Sequence, residues 1–143
     1  TYWALVVGVP DHDSGVIDAR LAKRGGEGSE RVESVDDGQA AETEYRILDH
    51  AARRISWLEL RPRTGRTHQL RAHCKVMGTP IVGDGKYGGR ESDVEGLPRR
   101  LHLHARGLTL PHPTTGERLT LAAPLDDVLS KSWAFVGFDA KVT

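Results

Sequence analysis

The sequence predicts an α+β fold with a mainly antiparallel, mixed sheet and a few helices, on three observations. Short blocks of strand-forming residues are separated by turn signals, one stretch has a clear helical period with signals at both ends, and strands and helices do not alternate regularly. At 143 residues and 15.7 kDa the chain reads as one domain, long enough to bury roughly two thirds of its unfolded surface. Twenty Lys and Arg balance twenty Asp and Glu, with 38% hydrophobic and 28% charged residues, which excludes a disordered acidic or basic tail.

Tyr2 to Val9 opens as a strand, followed by Gly15 to Leu21, Ala41 to Asp49 and Ile55 to Arg61. In the last of these, Ile55 and Trp57 take one face while Leu58 and Leu60 take the other, so both faces are covered, as in a central strand. His68 to Met77 is the clearest helix, with Thr67 as N-cap, Gly78 at C′ and Leu70, Cys74 and Met77 on one stripe. Arg71 and Lys75 lie off that stripe. Leu101 to Leu110 and Leu119 to Ala123 are further strands, and His112 to Arg118 turns Leu108-Thr109-Leu110 back onto Leu119-Thr120-Leu121 as a hairpin. A shorter helix is expected from Asp126 to Trp133 and a final strand from Phe135 to Phe138. Lys23 to Glu30 and Gly88 to Arg100 are polar, glycine-rich loops.

The zero net charge hides segregation. Glu27 to Glu44 is acidic apart from Arg31, whereas Arg61 to Lys75 holds Arg61, Arg63, Arg66, Arg71 and Lys75 with no acid, so one local basic patch is expected. Within it, Arg63-Thr64-Gly65-Arg66-Thr67 leads into a helix N-terminus, where free backbone amides favour an anion. The single cysteine, Cys74, excludes an intrachain disulfide framework and a multi-cysteine zinc site, and fits a reducing, cytoplasmic setting. The longest apolar stretch, Trp3 to Val7, is far too short to span a membrane.

Gly83-Asp84-Gly85-Lys86-Tyr87-Gly88 matches G-x-G-x-x-G, but a dinucleotide fingerprint must open a helix inside a strand-helix-strand unit, and a turn is the expected role here. His102 and His104 share one strand face, as two zinc ligands would, yet His68 and His73 are wrongly spaced to complete a site, so no metal is expected. None of the serines lies in G-x-S-x-G, which leaves serine nucleophile chemistry unsupported.

Thr64 to Gly88, TGRTHQLRAHCKVMGTPIVGDGKYG, closely resembles the signature of the RluA-type pseudouridine synthases, which isomerise uridines in ribosomal and transfer RNA. Tyr2-x-Ala4-Leu5-Val6-x-Gly8 resembles the family's K-x-Y-x-A-x-V-x-G strand, and Gly38-x-Ala40-x-x-Thr43 the segment before its central strand. Leu101-His102-Leu103-His104-Ala105, His112-Pro113 and Ala123-Pro124 are similar to its closing elements. The resemblance implies that Tyr2 lies against the target uracil, that Leu70 lines the pocket, and that Arg71 pairs with a catalytic aspartate. Arg66 and Lys75, with Arg61 or Arg63, would serve the RNA backbone. It further implies a pseudouridine synthase-like catalytic domain acting on structured RNA, as a monomer, with no cofactor.

The family's catalytic aspartate lies in H-R-L-D-x-x-T-S-G, a motif absent from residues 1 to 143. Residues 1–143 are therefore expected to be the C-terminal portion of the catalytic domain, inactive without the upstream aspartate segment. The competing readings are a catalytically inactive RNA-binding domain of the same fold and a small zinc hydrolase using His102 and His104.

Overall fold

The computed structural model describes residues 1–25 and 31–141. In chain order the elements are β1 (Tyr2–Val7), β2 (Ser14–Asp18), β3 (Leu21–Arg24), β4 (Arg31–Ser34), β5 (Glu42–Ala51) and β6 (Ile55–Pro62). They continue with α1 (Gln69–Val76), α2 (Gly85–Gly88), β7 (Leu103–Ala105), β8 (Gly107–Pro111), β9 (Arg118–Ala122) and α3 (Asp127–Phe135). The main sheet has the order β2-β5-β6-β1-β7, every neighbour antiparallel, and β3-β4 and β8-β9 are separate hairpins. The α+β class expected from sequence is the class observed.

β6 is the central strand, and its two faces build two cores. Leu58 and Leu60 join Ala4, Val6, Ile81 and the α1 residues Leu70 and Cys74 on one side. Ile55 and Trp57 join Trp3, Leu5, Leu129 and Trp133 on the other, where Trp57 meets Trp3 edge-on at 4.8 Å. Aromatic packing of that kind adds to simple area burial. α1 ends in a Schellman motif: Gly78, at φ 86, donates to Lys75 O and Thr79 donates to Cys74 O.

Several boundaries differ from the sequence expectation. The strand expected over Gly15 to Leu21 breaks at Ala19 and Arg20, whose carbonyls accept from His73 Nε2 and Val35 N instead of from a sheet neighbour. Leu101 to Leu110 divides at Arg106, whose amide donates to Thr1 O, so β7 stays on the main sheet and β8 leaves with β9. Phe135 to Phe138 forms no strand: Phe135 ends α3, Gly137 turns at φ 85, and Phe138 donates back to Trp133 O and packs on Trp57. Gly83 to Gly88 contains one helical turn, and the loop expected from Gly88 opens with a 3-10 turn over Gly89–Ser92. In the loop expected over Lys23 to Glu30, Lys23 and Arg24 belong to β3 and residues 26–30 lie outside the described residues.

Candidate active site

The chain leaves β6 at Pro62 and enters α1 through a loop closed by Gln69. Its Oε1 accepts from Thr64 Oγ1 at 2.6 Å and Arg66 N at 3.1 Å, and its Nε2 donates to Glu42 O and Thr43 Oγ1 at 2.8 and 2.9 Å. The buried amide is thereby satisfied on both ends. Thr43 in turn donates to His73 Nδ1 at 2.8 Å, and His73 Nε2 donates to Ala19 O. Burial holds His73 below the usual imidazole range, which fits a neutral ring with this tautomer. The amide of Arg66, expected to be open to an anion, is thus taken by Gln69. Thr67 is not the N-cap; His68 holds that place in a left-handed conformation, φ 51 and ψ 24.

Arg71, on α1, meets an acid that the sequence reading did not single out. Its Nε and Nη2 donate to Asp84 Oδ2 and Oδ1 at 3.0 and 2.8 Å, a side-on fork. Hydrogen bonding to Asp84 holds the guanidinium more firmly protonated than an ordinary arginine, against the opposing effect of burial. Asp84 is buried, caps α2 by accepting from Tyr87 N, and follows Gly83 at φ 79, where an added Cβ would lie 1.8 Å from Arg100 O. The guanidinium carbon also lies 4.9 Å from the centre of the Tyr87 ring. The Tyr87 hydroxyl accepts from Val32 N at 3.0 Å and lies 2.8 Å from His68 Nδ1.

A cavity of about 460 Å³ opens here, walled by Tyr2, Arg66, His68, Leu70, Arg71 and Leu103 among others. It brings together Tyr2, Leu70, Arg71 and Arg66 as sequence-chosen residues, from β1, the loop and α1. Arg63 and Lys75 lie outside it. Arg63 is ion-paired with Glu42 and Glu44, and Lys75 is exposed in the last turn of α1. A larger opening of about 830 Å³ at the Val7 end of β1 is lined by Glu91, Asp93 and Glu95 against the one base Arg54, with Asp93 paired to Arg99, so its net charge does not favour a polyanion. His102 commits both ring nitrogens, Nδ1 donating to Arg100 O at 2.6 Å and Nε2 accepting from Ser132 Oγ at 2.8 Å. Among the described residues no three His, Cys, Asp or Glu gather as metal ligands. Gln69, Asp84, Tyr87 and His68 are the site residues that sequence reasoning missed; Gln69, beside Leu70, and His68, between Arg66 and Leu70, lie within TGRTHQLR, and Asp84 and Tyr87 lie within GDGKYG, for which only a turn is expected.

The family model for RNA pseudouridylate synthases matches residues 1–76. The dual-specificity RNA pseudouridine synthase RluA of Escherichia coli K12 is 37% identical over 125 residues, covering 87% of this chain and 56% of the relative. RNA pseudouridine synthase 4, mitochondrial, of Arabidopsis thaliana is 40% identical, covering 78% of this chain and 31% of the relative. The structure of human RNA pseudouridylate synthase domain containing 1 superposes with TM-score 0.71 at 32% identity, covering 86% of this chain and 53% of that one. The chain thus spans about half, or less, of the length of these relatives. On the matched signature, the shared fold and these identities, the chain belongs to the RluA-type RNA pseudouridine synthase family.

Proposed function

We propose that this chain carries the uridine-binding part of an active site that isomerises uridine to pseudouridine in structured RNA, ribosomal or transfer, once an H-R-L-D aspartate is supplied. The observation that carries the reading is Arg71, held by Asp84 and Tyr87 at the wall of a cavity it shares with Tyr2 and Leu70. In the isomerisation the N1–C1′ bond breaks, a C5–C1′ bond forms, C5 loses a proton and N1 gains one, so no atom is consumed. The nucleotide must be flipped out of its stack to reach such a cavity. Tyr2 offers an aromatic face to the base and Leu70 an apolar wall. The fork to Asp84 uses two of the five N–H groups of Arg71, and the remaining three can hold a catalytic carboxylate ionised. Arg66 in the cavity wall and Lys75 exposed on α1 would serve phosphates, whereas Arg63 would first have to release Glu42 and Glu44.

The test is conversion of uridine in total RNA, read by mass spectrometry after chemical labelling. Residues 1–143 alone should give no pseudouridine, and a longer polypeptide containing the H-R-L-D segment should give it. Product from residues 1–143 alone would refute the requirement. RNA binding without product from the longer polypeptide would favour the inactive RNA-binding domain.

A further inference from the structure

We propose that His68 is a substrate-contacting residue whose neutral imidazole, anchored at Nδ1 by the Tyr87 hydroxyl, presents Nε2–H to an oxygen acceptor of the flipped uridine nucleotide. The inference rests on the uridine-site reading above and deepens it.

Three observations carry it. The first is the direction of the hydrogen bonds. Tyr87 Oη accepts the Val32 amide at 3.0 Å, and its own proton has an acceptor in His68 Nδ1, 2.8 Å away. A ring that accepts at Nδ1 and is neutral must carry its proton on Nε2. Nε2 has no hydrogen-bond partner among the described residues, and the exposed ring lines the same cavity as Tyr2, Leu70 and Arg71.

The second observation is conformational. His68 lies at φ 51, one of only three non-glycine residues with positive φ among the described residues. A non-glycine residue is held in that region against the local steric preference of its Cβ. The strained residue is the one that turns an imidazole into the cavity, and strain of this kind gathers at functional positions.

The third is charge. His68 is exposed overall, yet partial loss of water around the ring comes first in keeping it below the usual imidazole range, followed by the neighbouring charges of Arg71 and Lys86, with Lys23 acting the same way and Asp84 opposing them. The residue is thereby a directional donor of one proton and not a second cation beside Arg71. The ring also stands perpendicular to Tyr87, 5.7 Å between centres. Arg71 lies over that same Tyr87 ring, so one tyrosine fixes both the cation and the donor.

Two sources of acceptor share this chemistry, a uracil carbonyl and a phosphate oxygen. Imidazole 15N spectra of the longer polypeptide containing the H-R-L-D segment, the parent of the variants below, titrated separately with uridine, uridine monophosphate and inorganic phosphate, distinguish them. The expected spectrum at pH 7 is that of a neutral ring protonated at Nε2. A shift of that resonance with uridine assigns the base, and a shift only with the two phosphate-bearing probes assigns the phosphate. A ring protonated at both nitrogens, or at Nδ1, or unmoved by all three probes, overturns the proposal. Turnover gives the second readout. His68→Gly removes the strain with the imidazole, so it should fold with an unchanged or higher Tm yet lose roughly 10- to 100-fold in kcat/KM. His68→Asn, which tolerates the left-handed backbone and retains an amide donor, should recover part of that loss. Turnover of His68→Gly within about 2-fold of the parent would overturn the contact while leaving the isomerase reading intact. Absence of pseudouridine from the parent would instead refute that reading, and the spectra would still decide the contact at His68.

Discussion

Arg71 keeps its place in the cavity wall because buried Asp84 takes two of its N–H groups. Arg71 stands in a dense signature and off the apolar stripe of its helix, so its role as a cavity cation is readable. Asp84 is not, because its partner is thirteen residues away and is reached only through Gly83, where the backbone passes Arg100 O with no room for a Cβ. Gln69 escaped notice for a similar reason: its four partners come from β5 and the preceding loop, and none is implied by its own position in the helix. Asp84→Asn should leave the half-buried Arg71 without its counter-charge and lower stability by roughly 2–4 kcal/mol, somewhat under the range for fully buried pairs. Denaturant titration of the parent and Asp84→Asn checks this, and an unchanged midpoint would show that water replaces the pair without loss. Arg71→Lys keeps the charge but not the planar fork, so in a pseudouridine-forming protein it should lower turnover far more than RNA affinity. Equal losses in both would reduce Arg71 to a point charge.

Elements were legible where local chemistry decides them. The central strand was readable from apolar residues on both faces and α1 from its stripe and its glycine end; α3 begins where a helix was expected, after Asp126, whose carboxylate accepts from Leu129 N at 2.9 Å as a cap. Boundaries failed where a distant partner took a backbone group, as His73 does at Ala19 and Thr1 does at Arg106. The misread final strand has a different cause: apolar Phe138 is drawn into the tryptophan cluster by a turn at Gly137, a packing need that alternation in sequence cannot distinguish from a strand. Asp126 joins two elements, since it also forms a two-bond pair with Arg100 in the loop before β7. Asp126→Ala should therefore lower the denaturant midpoint, mostly through the lost cap because the pair is solvent-exposed, as denaturant titration would measure. Asp126→Asn, which keeps a capping oxygen, should recover most of it; equal destabilisation by both would transfer the weight to the ion pair.

At the scale of the whole molecule, charge segregation becomes an orientation, and buried imidazoles become a pH response. His73 and His102 are both held below the usual imidazole range, burial being the largest cause in each. The unfolded chain then binds protons that the folded chain refuses, so their contribution is complete above about pH 6.5 and is lost as pH falls below it. Tm should fall between pH 7 and pH 5, and a flat profile would mean that the rings accept protons without breaking their hydrogen bonds. The neutral net charge, in turn, conceals Arg66 in the cavity wall, Lys23 and Lys86 near enough to act on His68, and Lys75 exposed on α1, none of the four ion-paired among the described residues. The far end of β1 carries Glu91, Asp93 and Glu95. A structured RNA should therefore approach from the α1 side only, with few phosphate contacts and little affinity from the rest of the surface. With about three or four phosphates neutralised, the logarithm of the binding constant should fall with the logarithm of salt at a slope near −3. Arg66→Glu should weaken binding and flatten that slope, while Arg63→Glu should change little, because Arg63 is already neutralised by Glu42 and Glu44. Fluorescence anisotropy across a salt series measures both quantities. Affinity insensitive to salt, or a larger effect from Arg63→Glu than from Arg66→Glu, would move the RNA contact away from the cavity mouth.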